Sequence, residues 1–140
     1  MLVPLLLAAA LPVTHAADHR IAPQRWAALE SHVKAALECR QLFPVALLKD
    51  AAVPDDNPDT WNLYPPTSFT LFGMPVARVN FYIDPEEPGG SYTAIIENHS
   101  LKAVEQQLKK VKKVTEQGEI MASQAWGPHQ VEVTCTMPVY

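Results

Sequence analysis

The 140 residues carry 11 Lys and Arg against 15 Asp and Glu, a formal net charge of −4 at pH 7. That balance argues against non-specific nucleic-acid binding. Thirteen prolines beside only five glycines point to ordered turns rather than flexible linkers.

Residues 1–16 read as a secretory signal peptide, with an apolar run from Leu2 to Leu11, a helix-breaking Pro12, and small residues at Thr14 and Ala16 where a signal peptidase inspects the chain. The run is shorter than the ~20 residues needed to cross a bilayer. The expected mature chain, 17–140, is therefore a single periplasmic or secreted domain without a transmembrane anchor. In that oxidising setting the two cysteines, Cys39 and Cys135, are expected to form a disulfide, and neither lies in a C-x-x-C redox motif. Cleavage after Ala16 would expose Ala17-Asp18-His19. The α-amine, two deprotonated amides and the His19 imidazole could then offer Cu(II) or Ni(II) four nitrogens in a plane. Such binding is adventitious on this reading, and no resident cofactor is indicated.

Pro23 suits the first position of a helix, where its missing N–H costs nothing. The helix is expected to run to about Arg40, with Trp26, Leu29, Val33, Ala36 and Leu37 on one face and charged or polar residues on the other. From 41 to 66 the periodicity fails, and turn chemistry around Pro54-Asp55-Asp56-Asn57-Pro58 predicts a long Pro-rich loop. Trp61 and Tyr64 near its end, ahead of Pro65-Pro66, are candidates either for a partner-contact surface or for a cover over the sheet.

Residues 68–83 carry the strongest structural signal. Phe69 and Leu71, then Ala77, Val79, Phe81 and Ile83, alternate with polar residues in the period of half-buried strands, with a turn at Phe72-Gly73-Met74-Pro75. A third strand is expected at 91–97. Ser100 is a suitable N-cap for a second helix with a Leu101, Val104, Leu108, Val111 stripe. Lys109, Lys110, Lys112 and Lys113 surround its end, where cations suit the helix dipole and an anionic partner could bind. Asn98-His99-Ser100 matches a glycosylation sequon, relevant only in a eukaryotic source. Strands at 119–125 and 130–137 follow, separated by a turn at Trp126-Gly127-Pro128. Alternation in the last strand points Cys135 into the core, toward the end of the first helix and Cys39.

Together these elements predict an α+β domain in two layers, ordered α-β-β-β-α-β-β, with an antiparallel sheet of about five strands and two helices on one face. Its other face is expected to be solvated or covered by the long loop. No G-x-S-x-G, H-E-x-x-H or P-loop motif is present. The expected function is a non-enzymatic binding module, an inhibitor of or adaptor for an extracytoplasmic protein, with that protein or an anionic polymer as partner. Partner-contact candidates are Trp61, Tyr64 and the four lysines. The alternative is a small secreted hydrolase in which Ser91, His99 or His129, and Asp84 act as nucleophile, base and orienter.

Overall fold

The computed structural model describes residues 19–83, 86, 90–127 and 129–138. The expected leader, together with Ala17 and Asp18 of the metal motif and Asp84 of the hydrolase grouping, lies outside the described residues.

The first helix, α1 (Pro23–Leu37), begins at Pro23 after Ala22, which supplies no side-chain cap. Its predicted stripe is its buried face: Trp26, Leu29, Val33, Ala36 and Leu37 all pack into the core. Fully burying a Val or Leu contributes about 1.5–3 kcal/mol, so this face, more than local propensity, holds the helix in place. The helix stops at Leu37, three residues before the expected Arg40, in a Schellman turn. Cys39 N–H donates to Ala36 O at 3.0 Å and Arg40 N–H to Ala35 O at 2.8 Å. Cys39 takes the left-handed position of that turn, at φ 59, which is usually given to glycine.

Beyond α1, a 3₁₀ turn (Val45–Leu47) runs into the single-turn α2 (Leu48–Ala51). Seven strands follow: β1 (Val53–Pro54), β2 (Thr60–Leu63), β3 (Thr70–Leu71), β4 (Met74–Ile83), β5 (Gly90–Glu97), β6 (Glu119–Gln124) and β7 (Gln130–Met137). They form one antiparallel sheet in the order β1-β2-β4-β5-β7-β6, with β3 paired to β4 alone. The third helix, α3 (Leu101–Leu108), lies between β5 and β6 in the chain and is capped by Ser100, whose Oγ accepts from Ala103 N–H at 3.1 Å.

The α+β class and the antiparallel sheet are those expected, but the sheet has seven strands rather than five. The two additions, β1 and β2, come from the segment read as a loop. In β2, Trp61 and Leu63 face the core while Thr60 and Asn62 face the other way, and Asn62 pairs with Asn80 of β4. Four alternating residues are too few to stand out beside so much proline; pairing with β4 is what makes them a strand. The β3–β4 turn also sits one residue earlier than expected. Leu71 pairs with Met74, leaving Phe72 (φ 51) and Gly73 (φ 80) as a two-residue loop with positive φ at both positions, the type I′ geometry that matches strand twist.

The core lies between the helices and one sheet face. Val79 and Phe81 of β4, Tyr92, Ala94 and Ile96 of β5, Val131, Val133 and Cys135 of β7 and Ile120 of β6 point into it. Phe81 joins two aromatic contacts, to Phe43 at 4.7 Å and to Tyr92 at 5.6 Å between ring centroids. The Tyr92 hydroxyl accepts the Phe43 backbone N–H at 3.0 Å. Burial raises the Tyr92 pKa above its ordinary 10.0, and that hydrogen bond partly offsets the rise. Cys39 and Cys135 are disulfide-bonded, with Cα atoms 5.5 Å apart, so α1 is tied across the sheet to β7. The opposite sheet face carries a polar row, Asn62, Asn80, Thr93 and Thr134, across β2, β4, β5 and β7, beside the buried Ile95. Within it the Thr93 and Thr134 hydroxyls lie 2.8 Å apart, and Asn62 Oδ1 accepts from both Arg78 and Asn80.

Candidate binding surface

Trp61 and Tyr64 do not form an aromatic patch. Strand alternation sends Trp61 toward the core, half-buried opposite Phe81, whereas Tyr64 has the parity of Thr60 and Asn62 and is only 9% exposed. Tyr64 O accepts the Ile21 N–H at 3.0 Å, and its ring stacks against His19 with centroids 6.0 Å apart. Both aromatic side chains cover the sheet and its margin.

The lysines lie beyond α3 rather than on it, because the helix ends at Leu108. Lys109 caps it, and the chain tightens through Lys110 N–H to Gln107 O (3.2 Å) and Val111 N–H to Leu108 O (3.1 Å). All four ammonium groups are on exposed residues, and none is within ion-pair distance of a carboxylate among the described residues. Lys109 and Lys113 line a groove of about 330 Å³ between α3 and β6, with Glu105, Val114, Glu119 and Met121. Val114 and Met121, 64% and 62% exposed, are the water-exposed apolar residues of its lining, beside the buried Leu108 and Ile120.

Strand β6 is one margin of the sheet. Ile120 N–H turns away from β7 and donates to Lys113 O at 2.7 Å, so Ile120, Ala122 and Gln124 share an outward parity. Past the Val114–Glu119 bridge, the outward groups of Ala122 and Gln124 have no strand beside them among the described residues. The other margin, β1, is two residues long and contains Pro54, a combination that blunts an edge.

At the far end of β6 the chain turns into β7 through Trp126, which is 102% exposed. Beside this turn is a pocket of about 480 Å³ lined by Asn98, His99, Ser100, Leu101, Gln124 and His129. Asn98 and His129 both have left-handed backbones (φ 61 and 62) and are joined by Asn98 N–H to His129 O at 2.8 Å. His99 Nδ1 lies 2.9 Å from Glu97 O. A carbonyl oxygen only accepts, so the ring proton is on Nδ1 and Nε2 of the neutral ring is an acceptor. Trp126 stood out in the sequence only as part of a turn. Its usable signal was a large aromatic residue at a hairpin tip, where nothing on either side can fold over it.

The Ser91, His99 and His129 grouping is not assembled. Ser91 pairs with Tyr82 and Thr136 at the start of β5, whereas both histidines lie beyond its other end, about 20 Å or more away at ~3.4 Å per residue. Among the described residues no group of three or more His, Cys, Asp or Glu is placed to hold a metal ion, and no helix is long and apolar enough to cross a membrane. A scan against protein-family models and searches of curated proteins and solved structures found no match to the chain.

Proposed function

We propose that this protein is a secreted or periplasmic binding module that works without a catalytic centre, as an inhibitor of or adaptor for an extracytoplasmic protein. The observation that carries this reading is the open outer margin of β6 beside the Lys109–Lys113 groove. An unprotected strand edge is a template for strand addition, since the main chain supplies affinity and the adjoining groove supplies selectivity. Here the groove joins the exposed Val114 and Met121 to the Lys109 and Lys113 ammonium groups and the Glu105 and Glu119 carboxylates, none of them ion-paired among the described residues. It suits an extended partner segment whose inward side chains alternate between apolar and charged. Lys110 and Lys112 extend the positive field outside the groove and would favour an anionic partner at long range.

The test is affinity capture from extracytoplasmic extract, comparing the wild-type chain with Ala122→Pro and with Lys109→Glu/Lys113→Glu. Proline removes the outward N–H of Ala122 and blocks a strand from docking, yet is tolerated on an edge. A protein retained by the wild type and lost with both variants, at unchanged melting temperature, supports the reading. Capture indifferent to both variants, or no enriched protein, refutes it.

A further inference from the structure

We infer that the tip of the β6–β7 hairpin, Trp126 with the pocket beside it, is a binding site for an uncharged saccharide. This goes beyond the partner surface on β6 and does not depend on it.

Trp126 is the first observation. The other two tryptophans are used in the fold, Trp26 against Phe69 at 4.9 Å between ring centroids and Trp61 half-buried on β2, whereas Trp126 stands wholly in water. Hairpin tips are ordinarily built from Gly, Asn, Asp and Pro, which meet the backbone requirements without exposing apolar area. An indole buries on the order of 200 Å² when it is covered, so holding one in solvent leaves a large favourable contact unused.

The strand ends beneath Trp126 are tied together. Ala125 N–H and Gln124 Nε2 both donate to Gln130 O, at 3.1 and 2.8 Å. The Gln130 side chain packs so close to Gly127 that a Cβ there would come within 2.7 Å of Gln130 Oε1.

The second observation is the chemistry of the pocket. Its lining contains no carboxylate, ammonium or guanidinium, only amides, imidazoles, a hydroxyl and Leu101. Several of these groups keep unused capacity. Gln124 Nε2 is engaged by Gln130 O, leaving Oε1 to accept, and His99 Nδ1 is engaged by Glu97 O, leaving Nε2 to accept. Ser100 Oγ accepts from Ala103 N–H and still has its own proton to give. Donors and acceptors interleaved on neutral groups match vicinal hydroxyls, each of which both gives and takes a hydrogen bond. The apolar C–H face of a pyranose ring matches the exposed indole. Glu97, next to Asn98 in the chain, accepts from Gln130 Nε2 at 3.4 Å and is not among the lining residues. The pair of carboxylates needed to cleave a glycosidic bond is therefore missing from the pocket, and the site is one of retention rather than hydrolysis.

Titration of the full chain with chitohexaose, cellohexaose and mannohexaose, followed by intrinsic fluorescence, tests the assignment. At least one oligosaccharide should shift the emission to shorter wavelength as the solvated indole is covered. Trp126→Ala should abolish the shift and lower the affinity measured by calorimetry at least tenfold. Its melting temperature should move by no more than about 2 °C, since a fully exposed side chain is removed. Trp126→Phe should restore part of the affinity, and Gln124→Ala should weaken binding. Ala122→Pro should leave it intact, which separates this site from the β6 margin. Absence of binding by all three oligosaccharides, or binding that survives Trp126→Ala, overturns the inference.

Discussion

Replacing Cys39 and Cys135 together by serine removes a bridge that spans 96 residues of sequence. For a loop of this length the chain-entropy relation gives about 4.7 kcal/mol, and residual structure in the unfolded chain brings the expected loss to about 3–4 kcal/mol. At about 2.1 cal/mol/K per residue over the roughly 115 described residues, the melting temperature should fall by roughly 12–16 °C. The backbone at Cys39 allows a sharper comparison. Its left-handed φ of 59 costs a non-glycine residue about 1–2 kcal/mol, of which the extra freedom of glycine in the unfolded chain returns part. A Cys39→Gly/Cys135→Ser chain should therefore be about 0.5–1 kcal/mol more stable than Cys39→Ser/Cys135→Ser. Urea unfolding followed by circular dichroism measures both differences, provided the slopes agree. A loss below about 1 kcal/mol on removing the bridge, or a serine variant more stable than the glycine one, would refute the reasoning.

Trp61→Ala/Tyr64→Ala should lower stability by more than about 2 kcal/mol, because both rings cover apolar surface; a melting temperature within about 2 °C of wild type would restore them as free contact residues. Tyr92→Phe should cost about 1–3 kcal/mol at pH 7 by leaving the buried Phe43 N–H without its acceptor, as read by urea unfolding. Because burial holds the Tyr92 pKa above 10.0, the unfolded chain releases its proton first. Stability should fall as pH rises past 10.0, by up to about 1.4 kcal/mol per unit, and the Tyr92→Phe chain should show a flatter alkaline limb. A chain cut after Ala16 should bind one Cu(II) with a visible absorption band that His19→Ala abolishes; a mature start elsewhere, or a band that persists in the variant, removes that expectation.

Elements whose pattern repeats within a single segment were legible in the sequence. The α1 stripe from Trp26 to Leu37 and the alternation along β5, β7 and β4 from Val79 each repeat often enough to declare period and face, and the inward parity of Cys135 followed; ahead of Val79 a bulge in β4 buries Val76 in place of the expected Ala77. Features defined by distant neighbours were not. Strand β2 exists because Asn62 and Leu63 find Asn80 and Val79, and nothing within 60–64 announces that pairing. The early end of α3 moved the lysines off the helix, since a stripe reaching Val111 reads the same whether its last turn is helical or not. Trp126 was missed for a related reason: exposure is a lack of neighbours, and a local pattern records only what is present. The separation of Ser91 from His99 was available in principle, because the strand predicted from 91 to 97 holds residues at its two ends far apart.

The position of β7 in the sheet bears on how the chain can be delivered. It is the last of the described strands in sequence, yet it sits between β5 and β6 and holds half of the disulfide. While the chain emerges from a ribosome or threads through a membrane from its N-terminal end, β5 has a bare flank and β6 has nothing to join until residues 130–137 arrive. Cys39 must meanwhile stay reduced, with no other thiol in the chain to trap it wrongly. Completion of the domain is thus a single late event, and a nascent chain stopped before Gln130 should remain open to proteases however long it is left to fold.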